Sequence, residues 1–172
     1  GAAALAALAP QADRKLLEVL VKEAIVNFGE ARQAFVAFVE THWDHAQLAE
    51  VPRLLTEVSG ALRILNLSEP ADYLIGIRQF TDRELLHRKQ VPNGQQMDRL
   101  ADALASIEYF LEALRDRRPN REQILEVARQ SLESLGYWPL TDETRTVPAA
   151  AAPKPAAPAP AAPAVVVPEP AP

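Results

Sequence analysis

The sequence contains no cysteine. This absence excludes a disulfide framework, a thiolate nucleophile and a zinc site built from cysteine ligands. The chain also has no apolar run near the roughly 20 residues that a membrane-spanning helix needs. Its first residues show no charged segment before an apolar core, as a secretory signal would have. We therefore expect a cytoplasmic protein without direct membrane insertion.

Catalytic motifs are missing too. The chain has no glycine-rich phosphate loop, nucleophile elbow or HExxH pair, so no pattern predicts an enzyme. Eighteen basic and 23 acidic residues give a net charge of −5, which argues against nucleic acid as a partner. His42, Asp44 and His45 are ligand types, but no further carboxylate or histidine cluster lies nearby in sequence. We expect a polar turn there, and neither a metal nor another cofactor.

Apolar residues recur at steps of three and four along most of the chain, which is the pattern of amphipathic helices. No stretch alternates with period two for long enough to predict a strand. We predict an all-α protein: an antiparallel bundle of four main helices with an added C-terminal helix. The five apolar stripes run from Leu17 to Phe38, within Leu54–Leu67, from Tyr73 to Phe80, from Met97 to Leu114 and from Ile124 to Leu135.

Helix ends are predicted from capping residues. Gly136 follows the last apolar stripe and stands where a C-terminal glycine belongs. A polar residue that precedes a stripe can accept a hydrogen bond from the first free N–H groups of the helix. The candidate N-caps are Asp13, Asp44, Ser68 and the pair Asn120 with Gln123.

Composition divides the chain into three parts. Residues 1–12 are rich in alanine and are expected to form a linker or a frayed turn of helix, and residues 13–140 carry the helical bundle. From Pro148 onward the chain is almost entirely proline and alanine, which cannot bury enough apolar surface to fold. We expect residues 141–172 to be a disordered interdomain tether with polyproline II character, joined to a larger parent protein.

The stretch Leu54–Leu67 carries the candidate site. Its leucines and Val58 share one helical face, and Thr56, Gly60 and Arg63 lie on the opposite face. A glycine in the middle of a helix costs about 1 kcal/mol relative to alanine. An exposed Gly60 is explained if a partner must come close to the backbone beside Thr56, and the alternative is drift at a surface position.

A basic cluster stands beside Pro119. Part of it lies at the end of the fourth helix, where cations complement the helix dipole. This role is the favoured interpretation, and an anion or partner site is the alternative. The cluster consists of Arg115, Arg117, Arg118 and Arg121.

The central helix is similar to the signature helix of histidine phosphotransfer (HPt) domains, which reads roughly L-x-H-x-[LV]-[KR]-G-x-x-x-x-L-G-L. The matching positions are Leu54, Val58, Gly60, Leu65 and Leu67. The resemblance implies a helical bundle in which an exposed histidine exchanges a phosphoryl group with a receiver-domain aspartate. In that family the glycine lets the receiver approach, and the basic residue helps to bind phosphate.

This chain departs from the HPt pattern at the positions that carry the chemistry. Thr56 replaces the histidine, Ser59 replaces the basic residue, and Glu57 adds a negative charge beside the site. A phosphothreonine is a stable ester, unlike the labile phosphoramidate of a phosphohistidine, and threonine needs a base to become a nucleophile. The sequence therefore indicates a module that has lost phosphotransfer.

A wider stretch resembles the degenerate HPt-like modules of the type IV pilus chemotaxis system. These occur in its hybrid histidine kinase of the ChpA type and in the related stand-alone protein FimL. The segments ADALASIEYFLE (Ala101–Glu112) and ILEVARQSLESLGY (Ile124–Tyr137) carry this resemblance. It implies a bacterial cytoplasm, regulation of pilus motility, and docking to receiver domains or a polar hub protein.

Three functional hypotheses follow. The leading one is a non-catalytic docking or localisation module of a histidine kinase, with Thr56, Ser59, Gly60 and Arg63 as binding residues. The second is a phosphorelay domain with Thr56 as the phosphoacceptor. The third is a spacer with no partner of its own. The sequence indicates no oligomeric state.

Overall fold

The computed structural model describes residues 2–140, with side chains from residue 14 onward. No strand occurs among these residues, which confirms the predicted all-α class. Within the same range no helix is both long and apolar enough to cross a bilayer. The predicted tail, residues 141–172, lies outside the described residues. The helices are α1 (Ala2–Glu40), α2 (Val51–Ile64), α3 (Ser68–Phe80), α4 (Gly94–Arg115) and α5 (Leu125–Leu135).

Shorter helical segments join these elements. A 3₁₀ helix over His45–Leu48 precedes α2, and another over Arg121–Ile124 precedes α5. Helix α3 continues without a break into a π-helix over Thr81–His87. The third predicted helix is therefore two segments of different pitch.

A single hydrophobic core forms where α1 packs against α2 and α4, α2 against α3, and α5 against α3 and α4. The stripe predicted on α1 lies in this core. Leu17 is partly buried against it, and the other members are fully buried: Val21, Ala24, Phe28, Ala31, Phe35 and Phe38. Full burial of one phenylalanine contributes roughly 1.5–3 kcal/mol, so these three rings hold α1 in place.

Two predicted N-caps are wrong. Helix α1 begins at Ala2, so Asp13 lies inside it. Ser68 is the first residue of α3, Leu67 occupies the capping position, and no side chain caps that end. Asp44 is confirmed, because its carboxylate accepts a hydrogen bond from the Ala46 N–H at 3.1 Å.

The capping box lies at a different helix from the one predicted. Asn120 has a left-handed backbone (φ 59°) and makes no capping hydrogen bond, because a 3₁₀ turn separates it from α5. The box is instead formed at α4 by Asn93 and Gln96. The Asn93 side chain accepts from the Gln96 N–H at 2.8 Å, and the Gln96 side chain accepts from the Asn93 N–H at 3.0 Å.

The end of α5 agrees with the prediction. Gly136 adopts φ 85°, which lets the chain turn back toward α3. The Tyr137 ring then packs edge-on against Phe80, with 5.6 Å between ring centroids, and the Trp138 ring lies 4.6 Å from that of Tyr73. Gly76 of α3 makes this possible, because a Cβ there would lie 3.2 Å from the Tyr137 carbonyl oxygen.

Candidate docking face on helix α2

Helix α2 is amphipathic as predicted. Its buried side consists of Val51, Leu54, Leu55, Val58, Ser59 and Leu62, and Thr56, Gly60 and Arg63 are exposed. The helix ends at Ile64, slightly earlier than predicted. The chain leaves it through Asn66, a residue that tolerates the left-handed backbone found there (φ 63°). We call Thr56, Gly60 and Arg63 the α2 face.

The surface beside Gly60 is open. A Cβ added at this residue would meet no heavy atom within 4 Å. The packing of the domain therefore does not require a glycine here, unlike at Gly76. Two explanations for Gly60 therefore remain: a partner that approaches the backbone, or drift at an exposed position.

The Thr56 hydroxyl is hydrogen-bonded on both sides. It donates to the Pro52 carbonyl oxygen, one turn back in α2, at 2.8 Å. It accepts from the Nη1 atom of Arg78, which reaches across from α3, at 2.9 Å. A hydroxyl used in both directions is held in one orientation, with its proton directed at a carbonyl oxygen.

Arg78 is the residue of the site that sequence reasoning missed. It stands in the buried face of α3 and its residue surface is only 8% exposed. Its Nε lies 4.0 Å from the nearest Asp82 carboxylate oxygen, at the limit of an ion pair. Burial lowers the pKa of Arg78, and the Asp82 charge opposes that effect. Burial likewise raises the pKa of Asp82, with Arg78 opposing. The signal in the sequence was an arginine inside the run Ile75-Gly76-Ile77-Arg78.

Ser59 does not belong to the exposed face. It is buried, and its hydroxyl donates to the Ala71 carbonyl oxygen of α3 at 2.9 Å. Three residues after Thr56 is a turn of about 300°, which sets Ser59 about 60° around α2 from Thr56, on the side that α3 covers. Its predicted place on a binding surface therefore needs correction. Ser59 joins α2 to α3 instead of facing a partner.

Arg63 and Glu57 have their charges matched within the domain. Arg63 pairs with Asp72 of α3, with Nη2 and Oδ1 separated by 2.5 Å. The Glu57 carboxylate pairs with Arg53 at 2.8 Å and accepts from the Asn27 amide of α1 at 3.3 Å. The negative charge that Glu57 adds beside Thr56 is therefore compensated.

The hydrogen bonds of the Thr56 hydroxyl involve none of the three histidines. The His45 ring packs on Phe38 and its Nε2 lies 2.8 Å from the Gln90 carbonyl oxygen, so it joins two connecting segments. His42 and His87 are exposed. Across the described part of the chain, no three histidine, aspartate or glutamate side chains come together as metal ligands would.

The model of the FimL C-terminal domain family matches residues 12–132, which is most of the helical body. The chain belongs to the FimL C-terminal domain family. A member of this family that is known as Scaffold protein FimL, from Pseudomonas aeruginosa, is 33% identical over 119 residues. The match covers 69% of this chain and 21% of that protein, so the chain spans about a fifth of the length of its curated relative. No solved structure matches the chain.

The two hydrogen-bond partners of the Thr56 hydroxyl include no general base. A nucleophilic hydroxyl needs a general base within hydrogen-bond reach. Thr56 has a carbonyl oxygen and a guanidinium cation as its partners, and neither accepts a proton from it at neutral pH.

Proposed function

We propose that this domain is a non-catalytic, HPt-like docking module that acts in the regulation of type IV pili. The α2 face binds the partner, a receiver domain or a polar hub protein of the pilus system. The domain acts in the bacterial cytoplasm, and it reaches the pole through its partner. Membership of the FimL C-terminal domain family and similarity to a protein named as a scaffold support an interaction role.

One observation carries the proposal. At the position where an HPt domain has its histidine, the Thr56 hydroxyl is fixed by Pro52 and Arg78, while the neighbouring Gly60 leaves the backbone open to a partner. The features that admit a partner are present, and the groups that transfer phosphate are not. The same surface therefore serves docking without transfer.

The larger protein is part of the proposal. The resemblance to ChpA-type modules implies a histidine kinase that carries several such domains. The relative known as a scaffold protein offers a second context without kinase chemistry. In both contexts the domain itself contributes binding.

A titration followed by NMR tests the docking proposal. Labelled domain is titrated with each receiver domain of the pilus system and with its polar hub protein. We expect the amide signals of Thr56, Gly60 and Arg63 to shift with one of these partners. Shifts confined to other surfaces would mean that binding has moved away from α2, and no shift with any candidate would favour the spacer hypothesis.

A second function, phosphorylation of Thr56 in a relay, has one observation in its favour. The Arg78 guanidinium lies 2.9 Å from the hydroxyl oxygen and would stabilise an attached phosphate. The test supplies the kinase domain of the system with labelled ATP. Label on the wild-type domain that disappears in Thr56→Ala supports the relay, and an unlabelled wild-type domain rejects it.

A further inference from the structure

A groove of about 630 Å³ lies between the middle of α1 and the end of α4. It shares no lining residue with the α2 face. Helix α1 has 39 residues and is about 58 Å long, whereas α4 has 22 residues and is about 33 Å long. The two helices differ so much in length that α4 covers only part of α1, and the groove lies where this cover ends.

The floor of the groove is aliphatic. Val21 is buried in the core, Leu17 and Ile25 are half-buried, and Val26 is exposed over about half of its surface. Val19, which lies beside Lys22 and Val26 along a neighbouring groove, is also about half exposed. Aliphatic side chains left open along several turns of one helix are typical of a surface that receives another helix.

The rim of the groove is basic. Arg14 and Lys22 of α1 face Arg115 of α4 and Arg117 of the following turn, and Glu18 is the one acidic residue among those that line the groove. Glu18 pairs with Arg117 at 3.2 Å. Four positive side chains and one negative side chain give the groove lining a net positive charge, whereas the whole chain has a net charge of −5.

The fold itself explains only part of this positive charge. Arg115 complements the C-terminal end of the α4 dipole and contacts Asp116 at 3.0 Å. Neither Arg14 nor Lys22 has an ion-pair partner among the residues whose side chains are described. Their position beside an aliphatic floor fits an amphipathic ligand that carries acidic groups.

We propose that this groove is a second docking site, and that its occupant is an acidic amphipathic helix of a partner protein. The apolar side of that helix lies on the aliphatic floor, and its carboxylates meet Arg14, Lys22 and Arg115. Apolar contact supplies most of the affinity, while the basic rim selects acidic partners and speeds association. A domain with two separate surfaces can hold two proteins together.

The test uses fluorescent amphipathic peptides of about 18 residues, one built from leucine and glutamate and one from leucine and lysine. Binding is followed by fluorescence anisotropy. We expect the acidic peptide to bind, the basic peptide to bind at least about tenfold more weakly, and added salt to weaken the acidic complex. Equal binding of both peptides, or of neither, would overturn the proposal.

Charge reversal locates the site. Lys22→Glu is expected to weaken binding of the acidic peptide about tenfold, and Lys89→Glu, the same substitution at an exposed position outside the groove, is expected to leave it unchanged. Circular dichroism checks that both variants stay folded. Equal effects of the two variants would show nonspecific charge attraction and reject the site. Sedimentation of the domain alone is the second check, because a dimer that Lys22→Glu dissociates would mean that a second copy fills the groove.

Discussion

The Nη1 atom of Arg78 lies 2.9 Å from the hydroxyl oxygen of Thr56, and this hydrogen bond joins a buried cation of α3 to the exposed face of α2. The contact gives Thr56 a structural role that is separate from any phosphoacceptor role. It also places positive charge directly behind the α2 face.

Thr56→Val tests this structural role. The variant keeps the branched shape but leaves the buried Arg78 guanidinium without its acceptor, so we expect a loss of about 1–3 kcal/mol in the free energy of unfolding. Thr56→Ser keeps the hydroxyl and is expected to change stability by less than about 1 kcal/mol. Urea denaturation measures both, and equal stability of the two variants would show that the hydrogen bond contributes nothing.

Gly60→Gln tests the docking role. The added side chain has room in the free domain, because no atom lies within 4 Å of the Cβ position, but it occupies the surface where a partner approaches. We expect it to weaken partner binding more than Thr56→Ala does, while the domain remains at least as stable as the wild type. Calorimetric titration with the partner identified by NMR compares the two variants. If both leave the affinity unchanged, the interface lies elsewhere.

Gly76→Ala separates a glycine required by packing from one that is not. A Cβ at Gly76 would lie 3.2 Å from both Leu132 Cδ1 and the Tyr137 carbonyl oxygen, so we expect a loss of about 1–3 kcal/mol. Gly29→Ala in α1 meets no atom within 4 Å and should gain roughly 0.5–1 kcal/mol from helix propensity. Thermal and urea unfolding measure the stability of both variants. Stability changes of the same sign in both would contradict the prediction.

Ser59→Ala tests the corrected position of that residue. Loss of the hydrogen bond to the Ala71 carbonyl oxygen should cost about 0.5–1.5 kcal/mol of stability, and affinity for a partner of the α2 face should not change. Unfolding and binding are measured on the same preparation. Reduced affinity with unchanged stability would return Ser59 to the binding surface.

Tyr137 should make stability depend on pH in alkali. Burial, followed by its hydrogen bond to Glu84, raises the pKa of Tyr137 to about 12 from 10.0. The folded domain therefore keeps this proton to higher pH than the unfolded chain. The resulting stabilisation is complete below about pH 10 and is lost as pH rises toward about 12.

The measurement is the difference in unfolding free energy between the wild type and Tyr137→Phe, followed from pH 7 upward. We expect the wild type to lose stability relative to Tyr137→Phe as the pH passes through about 10 to 12. Groups common to both proteins, including Tyr73, whose pKa burial also raises, cancel in this difference. Tyr109→Phe, at an exposed ring, serves as the control, and a parallel course of both variants would contradict the assignment.

Periodicity and capping chemistry predicted much of the fold. The stripe from Leu17 to Phe38 identified the side of α1 that enters the core, because that choice depends only on spacing along one helix. Asp44 and Gly136 were also identified, since each acts on backbone groups close in sequence. The prediction of an Asn120 cap was wrong because a 3₁₀ turn separates Asn120 from α5, and residue spacing does not predict such a turn.

The sequence by itself determined that the chain is helical, that α2 exposes Thr56 and Gly60, and that no histidine stands near Thr56 along the chain. These features follow from the order of residues within one helix. Only the tertiary structure decided that Ser59 bonds to α3, that Arg78 lies behind Thr56, and that basic residues from α1 and α4 meet over one groove. Such contacts join residues distant in sequence, and they depend on how the helices rotate and pack against one another.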